Sequence, residues 1–527
     1  MRLLLNHQNG FPWGISGDLW VKGYAFAAGG QYLHGEDLLN HIRNELHRGR
    51  DLAELLKNLN GIYSVICAWE GNTYLFSDKS RFFPVFFRMA PEFIVTDEPE
   101  NLILPGDDIN ETAFAEFRYT GYVTGSDTLV SGILQVPAGE LLTIREDLTV
   151  AGMRLFSYRV RQTELRYDRD PVAEMAAAIQ KAADRFILSI GDATPVLPLS
   201  GGFDSRLIAC ILKARGYNNT ICFTYGRETA EVEISGRVAR RLGFTWHYVN
   251  YETLPGNWLA AHDEEFQAYY RYASRLTSMF YLQEFPAVLH LVRNGLIPKN
   301  SVFLPGHSGD LLGGSQFAKV FPEHLRYNHI ANLLVRSKYA NFPLKRQQAE
   351  AFRVHLNASL ELKEEFLATS IFEDWDIREK IAKFIFNSSQ VFAFFGYQVR
   401  FLFWDDELVE YFRRLPPALK NHKRIYNQCL QEKFFAVHRV NFSKELKPGP
   451  FGIRLQHIKD FLKPILPRTI QLRYVVKNDW ACYERFTVAM LKEIDTETRK
   501  KLPHGGFNSI LINWYLEQVK KRLDNRS

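Results

Sequence analysis

The run PLSGGFDSRLIACIL, Pro198 to Leu212, decides how the rest of the chain is read. A short apolar segment, PVLPLS, enters a Gly-Gly turn, and SRLIACILKARG follows with helical spacing and a stop at Gly216. In SGGFDS, Ser200 to Ser205, the two glycines remove side chains that would block close backbone approach to an anion, and the two serines add hydroxyl donors. A helix starting here aims its first amides at the same point, which makes an anion site. Asp204 is an acid beside the place of that anion, and a Mg²⁺ between them reconciles the two. The plainer alternative is a strand-to-helix turn with Asp204 as the helix cap. The whole hexapeptide behind a buried strand favours a nucleotide, and the missing Lys of GxxxxGK[ST] disfavours a kinase or GTPase.

Outward from the loop, TICFTYG reads as a second strand, GRVARRLG as a helix and TWHYVNY as a third strand. Strand, helix, strand, helix, strand predicts a parallel sheet covered by helices. The unit starts where the polar stretch Arg161 to Asp170 meets Pro171, with Asp170 as cap and VAEMAAAIQKAADRFI as the first helix. Before it lie LWVKGYAF, GIYSVICAWEG, TYLFSD, VFFRMA, EFIVTD and ELLTIR, short segments that predict an antiparallel β-rich unit, with one helix over Gly35 to Arg48. From Glu323 onward the pattern is helical and rich in aromatics, including Trp375, Trp404, Trp480 and Trp514, which are expected mostly in the core.

Composition agrees with two folded units in 527 residues: 46% are hydrophobic and 24% charged. A net charge of +6 spread over the chain argues against a nucleic-acid partner. Five scattered cysteines have neither metal-ligand nor disulfide-scaffold spacing, so a reducing cytoplasm is expected. No leader and no membrane-spanning apolar run is expected either.

The loop resembles the PP-loop of the ATP pyrophosphatase superfamily. Further segments extend the resemblance, in order and spacing, to class B asparagine synthetases and their relatives, the β-lactam synthetases and lasso-peptide cyclases. NGIYSVICAWEGNTYLFSDKSRFFPVFFR and FRYTGYVTGSDTLVSGILQVPAGELLTI resemble the family's amino-terminal signature and its connection to the synthetase domain. VFLPGHSGDLLGGS resembles the second nucleotide-site motif, and GYQVRFLFWDDELVEYFRRLPPALK the later Arg…Asp…LP..LK segment. The implied fold is α/β: residues 1–160 as a degenerate, Ntn-hydrolase-like glutaminase domain, and residues 161–527 as a PP-loop adenylating domain with a helical C-terminal part.

The resemblance implies ATP on Leu199, Ser200, Gly201, Gly202, Asp204, Ser205, Thr224 and Gly306, Mg²⁺ on Asp204 and Asp310, and Glu231 as the family's acidic residue. His307 stands where asparagine synthetases carry Glu and β-lactam synthetases carry Tyr, so an imidazole is placed to take a proton from an attacking amine. Asp310-Leu311 replaces the family's Asp-Glu, and the glycine pair comes one residue early, at Gly313-Gly314. The catalytic lysine of the family corresponds to Lys444 or Lys447 in NFSKELKPGPFG, without a choice between them. Arg2 replaces the cysteine with which relatives hydrolyse glutamine, so no glutaminase activity is expected.

The implied chemistry is adenylation of a carboxylate, release of pyrophosphate and attack by a substrate amine. Three substrate classes stay open: ring closure of an amino acid or peptide, amide formation on a sugar carboxylate, and ammonia-dependent amidation. Partner enzymes of a biosynthetic cluster go with the first two. A non-catalytic scaffold relative is the competing class, and tRNA thiolation lacks its paired cysteines.

Overall fold

A computed structural model describes residues 1–6, 10–317, 325–442, 475–504 and 506–525. Its first part runs β1 (Arg2–Leu4), β2 (Gly14–Ser16), β3 (Leu19–Phe26), β4 (Tyr32–His34), α1 (Glu36–His47), α2 (Leu52–Lys57), β5 (Asn60–Trp69), β6 (Asn72–Ser77), β7 (Phe86–Arg88), β8 (Ile94–Thr96), α3 (Glu111–Thr120), β9 (Leu134–Gln135), β10 (Glu140–Ile144) and β11 (Val150–Arg154). Two sheets form, β11-β10-β6-β5-β3-β2 with β4 beside β3, and β1-β8-β7-β9.

Period-two alternation sorts the side chains between layers. Leu19, Val21 and Ala25 of β3, with Tyr63, Val65 and Cys67 of β5, face Leu38, Leu39, Ile42, Leu55 and Leu56 of α1 and α2. Ile66 and Leu75 face the other way and meet Val85 and, from the second sheet, Phe87 and Val95. The expected β-rich unit is present, but among its described residues it holds three α-helices where the sequence reading gave one. α3 carried an overlooked signal: Asn110 caps Ala113 N–H at 3.1 Å, and Gly121 ends the helix in the left-handed conformation.

The second part opens with α4 (Pro171–Ile190), whose Asp170 carboxylate accepts from Val172 and Ala173 N–H at 3.1 and 3.0 Å. There follow β12 (Thr194–Pro198), α5 (Phe203–Ala214), β13 (Ile221–Gly226), α6 (Ala230–Leu242), β14 (Thr245–Asn250), α7 (Trp258–Ala261), α8 (Asp263–Ser274), α9 (Phe285–Arg293), β15 (Ser301–Phe303), α10 (Gly309–Leu312) and, later, β16 (Gln398–Val399). The sheet order is β14-β13-β12-β15-β16, and every pair is parallel. The chain leaves β12 toward β13 on one side and later returns as β15 on the other. The crevice beyond the carboxyl ends of β12 and β15 is therefore the switch point where ligands bind in open α/β sheets.

The two parts share one core, in which Phe11, Tyr24, Ile62 and Phe82 belong to the same cluster as Val196, Leu197 and Phe303. Polar groups join them as well. Asp405 takes Arg185 through two hydrogen bonds of 2.6 and 2.7 Å and Asn60 Nδ2 at 2.8 Å, while Asn60 Oδ1 accepts from Asp406 N–H at 3.0 Å. Lys79 pairs with Asp406. Buried Arg400 donates to Tyr32 Oη and to Ser189 O, with Tyr24 stacked against its guanidinium at 4.4 Å.

From Tyr327 the described chain is mostly helical. Trp375, Trp404 and Trp514 are buried as expected, but Trp480 is exposed. No helix among the described residues is long and apolar enough to cross a membrane.

Candidate active site

The loop between β12 and α5 is folded tightly on itself. Ser200 N–H donates to Ser205 Oγ at 3.1 Å, Gly202 N–H donates to Ser200 Oγ at 3.1 Å, and the two hydroxyls stand 3.1 Å apart. Arg206, fully buried, donates to Gly201 O at 2.5 Å and to Val440 O at 3.2 Å. Thr224 Oγ1 donates to Leu199 O at 2.7 Å and accepts from Trp246 Nε1 at 3.0 Å. Thr224, expected on the nucleotide, thus has its hydroxyl engaged as a prop beneath the loop.

A second loop, after β15, packs directly on the first. A Cβ on Gly306 would lie 2.8 Å from Ser205 N, and one on Gly309 would lie 2.8 Å from Asp204 Cγ and 2.6 Å from Tyr426 Oη, so only glycine fits at either place. Asp310 N–H donates to Asp204 Oδ2 at 2.7 Å, and Tyr426 Oη donates to Asp204 Oδ1 at 2.8 Å. The Asp204 carboxyl is pushed up to about 7, by burial first and by the charge of Asp310 second, against the two hydrogen bonds and Lys423. The early glycine pair also has a packing reason: a Cβ on Gly313 would meet the Tyr426 ring, and Gly314 adopts φ 102° against Lys420 O.

His307 lies on the same loop. Its Nε2 is 3.0 Å from Ser388 Oγ, and that hydroxyl donates its single proton to Ile385 O at 2.7 Å. Nε2 must therefore carry the hydrogen, which leaves Nδ1 as the basic nitrogen of a neutral ring. Burial pushes the imidazole down to about 4, with Asp310 opposing. Ser388 is presented by a helix whose pitch widens to π over Ile377–Ile385 and tightens to 3₁₀ over Phe386–Ser389; such irregular turns recur at functional sites.

The two loops form the floor of a cleft of about 820 Å³. Ser200, Gly202, Asp204, Ser205, Thr224, Glu231, Gly306, His307 and Asp310 all line it, so the structure gathers most of the residues singled out in the sequence. Gly201 sits behind the lining, where a Cβ would lie 2.9 Å from Glu231 Cα. Lys444 and Lys447 lie outside the described residues.

Sequence reasoning missed other cleft residues: the cations Arg227, Lys423 and Lys477, the acid Glu284, and the aromatics Tyr225, Tyr281 and Trp480. Tyr426, which holds Asp204, was missed as well. Lys423 follows His422 with both residues at left-handed φ, 55° and 53°, a strained pair next to Asp204.

Among the described residues no cluster of three or more His, Cys, Asp or Glu side chains could hold a metal. Mg²⁺ asks for less: one or two carboxylates, with phosphate oxygens and water completing the octahedron. Asp204 and Asp310, two hard oxygen donors within electrostatic range of each other, fit that requirement.

No curated relative matches the chain. Among solved structures it resembles an NH3-dependent NAD synthetase from Campylobacter jejuni subsp. jejuni NCTC 11168, at 15% identity over 36% of this chain and 98% of that one, with a TM-score of 0.19. It also resembles a glutamine phosphoribosylpyrophosphate amidotransferase from B. subtilis, at 12% identity over 45% of this chain and 47% of that one, with a TM-score of 0.17. Likenesses that slight say nothing about ligands. Residues 177–437, which span both loops, match the family model described as asparagine synthase, and this part of the chain belongs to the asparagine synthetase-like family of ATP-using, amide-forming enzymes.

Proposed function

We propose that the cleft adenylates a carboxylate with ATP and passes the acyl group to a substrate amine, without hydrolysing glutamine. In the first step a carboxylate oxygen bonds to the α-phosphorus of ATP and pyrophosphate leaves. In the second the amine nitrogen bonds to the acyl carbon, AMP leaves, and the nitrogen loses a proton. The products are an amide, AMP and pyrophosphate.

The observation that supports this best is the junction of the two loops at the switch point, with Asp310 N–H on Asp204 Oδ2 at 2.7 Å. It puts the first turn of α5, both serine hydroxyls and two carboxylates in one cleft with Lys423. The helix amides and hydroxyls bind leaving pyrophosphate. Lys423 offsets charge that develops on the phosphates. Asp204 and Asp310 would hold Mg²⁺, which supplies charge neutralisation on the phosphates when bound. His307 is neutral at pH 7, so Nδ1 is open to take the proton as the amine attacks, although burial makes it a weaker base than a free imidazole.

Cys67, the single cysteine in residues 1–160, is buried in β5 with its thiol pushed up to about 11, which does not suit a nucleophile. The amine is therefore free ammonia or, in the reading we favour, an amine that comes with the substrate. Ring closure within one molecule, as in β-lactam synthetases and lasso-peptide cyclases, is the form we favour over amide formation on a sugar carboxylate.

The test is carboxylate-dependent exchange of labelled pyrophosphate into ATP. Asp204→Asn keeps an acceptor for Asp310 N–H and removes the charge, so exchange should fall to background while the protein stays folded. Exchange that survives Asp204→Asn unchanged excludes this loop as the site, and no exchange with any amino, peptidyl or uronic acid leaves the scaffold reading standing.

A further inference from the structure

Glu284 is a buried acid of the cleft that adenylation does not use. It precedes α9 yet makes no side-chain cap with that helix. The side chain is 5% exposed. Oε1 accepts from Tyr225 Oη at 3.0 Å; Oε2 has no hydrogen-bond partner among the described residues. No ion pair among the described residues includes it. Buried carboxylates are ordinarily satisfied on both oxygens or paired with a cation.

The surroundings are built and rigid. Tyr269 Oη donates to Tyr281 O at 2.7 Å and Tyr251 Oη to Gln283 O at 2.6 Å, while Tyr251 Oη accepts from Ala287 N–H at 3.1 Å. These bonds fix the backbone on both sides of Glu284. Phe285 stacks on Tyr269 with ring centroids 4.5 Å apart. Tyr225 packs on Tyr251 at 5.6 Å on one side and on Trp480 at 5.8 Å on the other. The acid thus stands among aromatic rings, in the same cleft as the two nucleotide loops. A carboxylate with an oxygen unpaired among the described residues, aromatic faces and no described cation paired with it matches the chemistry that binds an ammonium ion.

We propose that Glu284, with the rings of Tyr225 and Tyr281, binds a cationic primary amine of the substrate and so selects acids that also carry an ammonium group. This rests on the adenylation reading only in placing the activated carboxylate at the other loops of the same cleft. Burial alone holds the Glu284 carboxyl near 7, with the Tyr225 hydrogen bond opposing, so an arriving ammonium completes its ionisation. A neutral or anionic acid leaves Oε2 unpaired and binds more weakly.

The experiment titrates the full-length protein with n-pentylammonium and with 1-pentanol, equal in shape and different in charge, by ligand-observed NMR, and separately with Mg·ATP by calorimetry. The wild type should prefer the ammonium over the alcohol on the order of tenfold to a hundredfold, the range for a charge-assisted hydrogen bond. In Glu284→Gln that preference should vanish with ATP affinity unchanged. Equal binding of ammonium and alcohol by the wild type overturns the proposal without any variant. So does an undiminished preference in Glu284→Gln. Failure of the wild type to bind ATP refutes adenylation instead, and the preference between the two probes still decides the role of Glu284.

Discussion

Gly306→Ala tests whether the two loops make one site. The added Cβ would lie 2.8 Å from Ser205 N, 3.1 Å from Ser205 Cα and 3.2 Å from Asp204 C, all of them backbone atoms that cannot rotate aside. Ordinary contacts need about 3.5 Å or more, so the loops must part by about 0.5 Å. Overpacking of that kind costs about 1–3 kcal/mol. The same displacement stretches the 2.7 Å bond from Asp310 N–H to Asp204, and ATP affinity should fall about tenfold, the equivalent of about 1.4 kcal/mol. Gly256→Ala is the control, because no atom lies within 4 Å of its Cβ position. Gly202→Ala should fall between them, since its neighbour at 3.1 Å is only the Ser200 hydroxyl, which can turn away. Thermal unfolding and calorimetric titration with Mg·ATP read the two effects. If Gly306→Ala matches Gly256→Ala in both, the second loop is no part of the nucleotide site.

Other expectations follow from single groups. Tyr426→Phe removes the O–H that holds Asp204 down, so the acid limb of pyrophosphate exchange should move to higher pH; an unmoved limb means that Asp204 need not be ionised. Glu284, held near 7 in the fold against an ordinary 4.5, keeps a proton that the unfolded chain releases. Stability from this group is therefore lost as pH rises from about 4.5 to about 7, by up to about 3 kcal/mol. In urea unfolding Glu284→Gln should flatten that slope, and a constant difference between wild type and variant at pH 5 and pH 8 contradicts it. Native protein at pH 7.5 should release no ammonia from glutamine and leave Cys67 unalkylated by iodoacetamide, since the thiol is buried and pushed up to about 11; ammonia release at a steady rate refutes this.

What was legible in the sequence was local. Ser200 to Ser205 follows an apolar strand within a few residues, and Pro171 after Asp170 marks a helix by rules that operate over one turn. The parallel sheet was legible because each of its first three strands is a compact apolar run. Glu284 and Lys423 reach the cleft, and Tyr426 reaches Asp204, from distant segments with no motif around them, and only tertiary packing brings them there. Thr224 was placed on the nucleotide by the resemblance, and nothing local revealed that Trp246 and Leu199 occupy its hydroxyl. The helix Leu52–Lys57 escaped because six residues are too few for a clear period.

The join around Asn60, Asp405 and Arg400 has a consequence for handling the protein. Cutting the chain at residue 160 would strip Lys79 from Asp406, Asn60 from Asp405, and Tyr24 and Tyr32 from Arg400, and would open the shared core along Phe11, Ile62 and Phe82. The remainder would expose a raw apolar flank and aggregate rather than work as a smaller enzyme. Both regions should therefore melt together, and the half without a reactive cysteine sets the temperature at which the other half can operate.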